Sequence, residues 1–134
     1  MPSLFVADDD DLFKRILKMT LVKHPLFKHV LYFETGLPLI KYLKENSNDR
    51  SNLPDVLLLD LTMPVCSGWD VLDFLEIWYP SFAKRISIYV VSVSIDPRDR
   101  AKALRYKFVK DFIYKPLHKE QLIAIANEAK TMAG

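Results

Sequence analysis

Val56-Leu57-Leu58-Leu59-Asp60-Leu61-Thr62-Met63-Pro64 is the most telling stretch of the sequence. Aliphatic residues run unbroken up to one carboxylate, Asp60, and a proline-containing turn follows almost at once. An unbroken apolar run of this length reads as a strand buried on both faces, the kind found inside a parallel sheet. An ionisable residue at the C-terminal end of such a strand lies where open α/β sheets bind ligands. Alone, Asp60 is equally well read as a surface aspartate with no duty. Its neighbours in the fold decide the matter.

On either side of it four more short strands are legible, each followed by a helix-period segment. Leu4 to Ala7 ends in Asp8-Asp9-Asp10-Asp11. Asp10 and Asp11 suit the cap and first turn of a helix, where carboxylates meet the positive end of the dipole. Asp8 and Asp9 are then left crowded at the strand end, and something positive must offset their repulsion. Phe13, Ile16, Leu17, Thr20 and Leu21 mark one face of the first helix, with Lys14, Arg15 and Lys18 opposite. His29 to Glu34 is the second strand, and Leu39, Ile40 and Leu43 mark the second helix. Glu45 to Asp55 is polar and reads as a mobile surface loop.

After the Asp60 strand, Ser67-Gly68 opens a third helix with the face Val71, Phe74, Leu75 and Trp78, stopped by Pro80. Ile86 to Val91 is a fourth buried strand ending at Ser92-Val93-Ser94. Asp96-Pro97-Arg98-Asp99 starts a fourth helix that runs to about Lys107. Asp111 to Tyr114 is the fifth strand, ending at Lys115-Pro116. A last helix, about His118 to Thr131, presents Leu122, Ile125, Ala126 and Ala129.

Five strands alternating with five helices predict an α/β fold: a doubly wound, five-stranded parallel sheet with helices on both faces. Right-handed crossovers favour the flavodoxin-like strand order 2-1-3-4-5. That order places the ends of the first and third strands side by side. Asp8 and Asp9 then meet Asp60 in one crevice, rimmed by Ser92 and Lys115.

Composition narrows the function. With 134 residues the chain is expected to be one domain, residues 1–134, with no output domain after its last helix. Nineteen Lys and Arg against 17 Asp and Glu give a net charge of +2, too small to argue for nucleic acid or membrane. The single cysteine, Cys66, excludes an intramolecular disulfide, suits a reducing cytoplasm, and reads as a small loop residue. The start MPSLFVADDDD has no basic region ahead of its apolar run and is neither signal peptide nor anchor.

Three converging carboxylates repel one another unless a cation lies between them. An oxygen-only set with few protein ligands suits Mg²⁺ shared with phosphate. A lysine and a hydroxyl beside it suit the remaining phosphoryl oxygens, leaving a carboxylate as nucleophile. This is equipment for phosphoryl transfer to an aspartate.

FVADD at the first strand, LLLDLTMPVCSG at the third, VVS at the fourth and FIYKPL at the fifth together resemble the receiver domain of two-component response regulators. The resemblance covers essentially the whole chain. It implies Asp60 as phosphoacceptor. Asp8, Asp9, Asp60 and the backbone carbonyl of Thr62 match the Mg²⁺ ligands, and Lys115 the phosphoryl-binding lysine, followed by a commonly cis Lys115-Pro116 bond. Ser92 matches the switch hydroxyl and Phe112 the switch aromatic. The implied partners are a sensor histidine kinase or phosphotransfer protein docking near the first helix, and a downstream protein target or second copy. The last two would meet the face formed by the fourth helix, fifth strand and fifth helix, which carries Lys102, Arg105, Tyr106, Lys107, Lys110 and Tyr114. No direct nucleic-acid or membrane contact is expected.

Three departures qualify the match. Val93 follows the switch serine where the family has a small residue, and a branched side chain there is expected to obstruct the pocket. Phe108-Val109 stands where Gly-Ala usually precedes the last strand. About one extra residue separates Ser92 from that strand, which keeps Ser94 open as the switch hydroxyl. Two other classes remain. One is a pseudo-receiver that binds partners without phosphorylation. The other is a phosphohydrolase of the haloacid dehalogenase type, but Asp60-Leu61-Thr62 lacks its second acid.

Overall fold

Alternation of side-chain direction along each strand decides which helices cover which face of the sheet. A computed structural model describes residues 1–133. The elements are β1 (Ser3–Ala7), α1 (Asp11–Lys23), β2 (His29–Phe33), α2 (Gly36–Glu45), β3 (Val56–Leu59), α3 (Gly68–Trp78), β4 (Ser87–Ser92), α4 (Pro97–Leu104), β5 (Val109–Tyr114) and α5 (Lys119–Ala133). All strand pairs are parallel, in the order β2-β1-β3-β4-β5. The doubly wound, flavodoxin-like expectation is therefore met.

In β3, Leu57 and Leu59 face a core shared with Leu39 and Leu43 of α2, Val71, Leu72 and Leu75 of α3, and Ala103 of α4. Val56 and Leu58 point the other way, to Leu17 of α1 and Leu122, Ile125, Ala126 and Ala129 of α5. Successive side chains alternate across the sheet, so one apolar run serves both layers.

Helix starts follow the expected chemistry. Asp10 caps α1, its carboxylate accepting from the backbone N–H groups of Leu12 and Phe13 at 3.0 and 3.2 Å. Ser67 and Asp70 form a reciprocal capping box at α3. Asp96 and Pro97 start α4.

Four expectations need correction. Lys14 is buried rather than on the outer face of α1, where it forms ion pairs with Glu34 at 3.3 Å and Asp11 at 3.5 Å. Ile16, expected inside, is 53% exposed. The Glu45–Asp55 segment is tied down rather than loose: the Asp49 carboxylate accepts from Ser51 and Asn52, Leu53 is buried, and Asp55 holds Lys84 at 3.0 Å and the Ser3 N–H at 2.8 Å. Finally, α4 ends at Leu104, short of Lys107, and β5 begins at Val109, ahead of Asp111.

The earlier start of β5 locates the extra residue. Ile88 pairs with Val109, but its successor Tyr89 pairs with Asp111, so Lys110 is taken up as a β-bulge. Beyond the bulge the register is regular, and Ser92 pairs with Tyr114. The insertion is absorbed at the far end of β5 from Lys115.

Candidate functional site

The sheet's parallel register brings Asp8, Asp60, Ser92 and Lys115 to one end. The Asp8 N–H donates to the Phe33 carbonyl at 2.9 Å, and the Asp60 N–H to the Ala7 carbonyl at 2.9 Å. Both aspartates thus leave the last rungs of the ladder at the same height. Gly68 closes the floor behind Asp60. Its N–H donates to Leu61 at 3.0 Å, and any Cβ there would overlap the Asp60 carbonyl oxygen.

Carboxylate oxygens of Asp8, Asp9 and Asp60 lie within 4.8 Å of one another. Asp8 is 1% exposed and Asp60 6%, while Asp9 is open to solvent. The Lys115 ammonium is 2.9 Å from Asp8, 3.8 Å from Asp10 and 4.0 Å from Asp60. It also stands 4.6 Å from the centre of the Phe13 ring. The Lys115 N–H donates to the Ser92 carbonyl at 2.8 Å, and the Lys115–Pro116 peptide is cis, as the family resemblance implies.

Burial disfavours the charged carboxylates and dominates over the single lysine. It pushes the Asp60 carboxyl up to about 6, helped by the neighbouring Asp8 charge and opposed by Lys115 and by the Thr62 backbone N–H. Burial likewise raises Asp8 despite its bond to Lys115. The pocket therefore holds more negative charge than its own groups neutralise. All three carboxylates offer hard oxygen donors, one from the solvent side, and the set fits a hydrated divalent cation such as Mg²⁺.

Ser92 is 2% exposed, and its hydroxyl accepts from the Ser94 N–H at 3.1 Å. The Ser94 hydroxyl is occupied otherwise: it donates to Asp99 at 2.6 Å and accepts from the Asp96 N–H at 3.3 Å, both at the start of α4. Val93, expected to obstruct the pocket, is 69% exposed. Phe112 is 3% exposed and packs edge-on against Tyr114 at 5.3 Å, while its carbonyl accepts from Arg100 at 3.1 Å. Thr62 is an exposed residue two positions beyond Asp60. Among the described residues, the Ser92 hydroxyl makes no hydrogen bond to Asp60 or to the Lys115 ammonium.

Two contributors were not legible in the sequence. Asp10 not only caps α1 but donates its N–H to Asp8 at 2.8 Å, and Phe13 lies under Lys115. The run of four aspartates carried a signal, since only two were needed to start a helix. Val65, 87% exposed, has φ of 68° in the β3–α3 loop, a conformation that a β-branched residue rarely adopts.

The family model for the response regulator receiver domain matches residues 4–127. The chain is similar to the chemotaxis protein CheY of Listeria monocytogenes, 31% identical over 121 residues, covering 90% of this chain and 92% of that protein. A two-component response regulator from Cytophaga hutchinsonii superposes with a TM-score of 0.78 at 25% identity, over 96% of each chain. The phosphorylated cyanobacterial phytochrome response regulator RcpA does so with a TM-score of 0.73 at 25% identity, over 98% of this chain and 92% of that one.

Proposed function

The chain belongs to the response regulator receiver domain family, and from that premise we propose that it accepts a phosphoryl group on Asp60 from a histidine kinase or phosphotransfer protein. The observation that carries this reading is the meeting of Asp8, Asp9 and Asp60 with the Lys115 ammonium at one sheet end. In this reading a carboxylate oxygen of Asp60 attacks the phosphorus in line. The bond from phosphorus to the donor imidazole breaks, and its electron pair returns to that nitrogen. Lys115 leaves its partner Asp8 to hold a phosphoryl oxygen, and the nearby Ser92 hydroxyl takes another.

Asp8, Asp9, Asp60 and the Thr62 carbonyl would hold Mg²⁺. When bound, it neutralises charge on the carboxylates and on the transferring phosphoryl oxygens. The protein's own part is positional. Gly68 permits the close floor beneath Asp60, and Phe13 and Asp10 fix the approach of Lys115. The phosphorylated site then biases a two-state arrangement of Ser92 and Phe112. That change is read on the surface of α4, β5 and α5 by a target protein or a second copy.

Exposed Leu12, Ile16, Met19 and Val22 on α1 give the phosphodonor protein an apolar face beside the pocket. No helix among the described residues is long and apolar enough to cross a membrane, and a cytoplasmic protein acting without direct nucleic-acid contact is the reading in keeping with the charge of +2. Incubation with acetyl phosphate and Mg²⁺, read by intact mass, tests the function. The wild type is expected to gain one phosphoryl group and Asp60→Asn none. Binding of partners by a protein that never takes the label would instead support a phosphorylation-independent module.

A further inference from the structure

Two departures from the family pattern, the aromatic Phe108 and the inserted Lys110, line the same feature. They meet in a groove of about 480 Å³ at the opposite end of the sheet from Asp60, among the end of α3, the starts of β4 and β5, and the last turns of α5. Five strand steps of about 3.3 Å separate the two ends of β4, so the groove is roughly 17 Å from the acidic pocket.

One wall is apolar and braced. Phe108 stacks on Tyr79 with ring centres 5.4 Å apart and planes 12° from parallel. The Tyr79 hydroxyl in turn donates to the Ile86 carbonyl at 2.9 Å and accepts from the Ile86 N–H at 3.0 Å. The other wall is cationic. Arg85 and Lys107 border the groove and form no ion pair among the described residues, while Lys110 is held by Glu128 at 2.9 Å. Smaller depressions continue from Arg85 to Arg50 and on to Lys28 across the base of the sheet. Phe108 serves packing through its stack, but Arg85 and Lys107 beside it have no ion-pair partner among the described residues.

We propose that this groove docks an extended acidic segment of a partner protein, with one aromatic side chain against the Phe108–Tyr79 wall and carboxylates at Arg85 and Lys107. Charge complementarity selects that occupant. Glu76, the Glu128 carboxylate at Lys110 and, in the neighbouring depressions, Asp55 interrupt the positive surface. A peptide can step over such interruptions, whereas a uniformly charged phosphodiester strand meets them as repulsion. The site goes beyond the phosphoryl chemistry and requires neither Asp60 nor a metal. It is a constitutive recruitment surface.

The test uses the full chain without metal or phosphodonor, so its outcome is independent of Asp60 chemistry. The probe is an acetylated, amidated heptapeptide with a central phenylalanine flanked by three glutamates on each side, followed by ¹⁵N–¹H NMR titration. Saturable shifts should gather at Arg85, Ile86, Lys107 and Phe108. The double variant Arg85→Glu, Lys107→Glu, both at exposed positions, should weaken binding about tenfold or more, and replacing the central phenylalanine by glycine should also weaken it. Shifts scattered over the surface lysines, no saturation, or equal affinity in the charge-reversed variant would overturn the proposal. Tighter binding of an oligothymidine at the same residues would overturn the choice of partner.

Discussion

Asp60 is held where its charge is costly. Its carboxyl, ordinarily near 3.8, is pushed up to about 6 by burial and by Asp8. The folded state therefore binds this proton more tightly than the unfolded chain. Its contribution to stability is greatest below the unfolded value of 3.8 and declines as pH rises towards 6. Asparagine cannot ionise and escapes that decline. In urea titrations of the metal-free protein, Asp60→Asn should be more stable than wild type by roughly 1–2 kcal/mol at pH 8, with the difference fading near pH 4. A variant equally or less stable at pH 8 would show that Lys115 already compensates the pocket. Val65 carries another local cost, with φ of 68° on a β-branched residue. Val65→Gly should raise the urea midpoint, a gain of roughly 1 kcal/mol, and an unchanged midpoint would place no strain there. The strand-end residues Asp8, Asp9, Asp60 and Lys115 were legible because each follows an apolar run. The contacts of Asp10 and Phe13 with Lys115 were not, because they join α1 to the end of β5, residues a hundred positions apart that no local pattern relates.

At the level of elements, the floor of the pocket depends on how closely α3 approaches β3. Gly68 begins that helix, and a methyl group there would overlap backbone atoms of Asp60 and Leu61 that cannot rotate away. Gly68→Ala should cost about 2 kcal/mol or more in stability and lower the rate of labelling by acetyl phosphate beyond what unfolding explains. Full labelling in a stably folded variant would show that the loop tolerates the shift. Strands and helices were readable from periodicity throughout, yet α4 and the start of β5 were misplaced. The helix is short and poor in apolar residues, so it leaves little pattern to read. It is held instead by its own side chains and those of the turn after it: Lys102 lies 4.3 Å from the Trp69 ring, Arg100 donates to the Phe112 carbonyl, and beyond the helix the Tyr106 hydroxyl donates to Asp73 at 2.7 Å. The inserted residue was countable from Lys115, but its form as a bulge at Lys110 depends on the register with β4. Lys14 was misassigned for a related reason, since its partner Glu34 comes from the end of β2.

Across the whole molecule, charge is separated along the strands. Asp8, Asp9 and Asp60 converge at one end, and Arg50, Arg85 and Lys107 border depressions at the other. The near-neutral total of +2 hides this polarity. A cation bound only by the folded carboxylate cluster stabilises the whole fold by mass action, about 2.7 kcal/mol at a concentration one hundred times its dissociation constant. Saturating Mg²⁺ should therefore raise the thermal midpoint of the wild type, and much less that of Asp9→Asn. Equal rises in both would place the cation elsewhere.

Whether Asp60 carries the phosphoryl group is decided by borohydride trapping. The protein is incubated with acetyl phosphate and Mg²⁺, reduced so that an acyl phosphate becomes an alcohol, digested and sequenced by mass spectrometry. Reduction is expected at Asp60 alone, dependent on both phosphodonor and Mg²⁺. Reduction at Asp8 or Asp9 instead, or none in a folded protein that binds Mg²⁺, would contradict it.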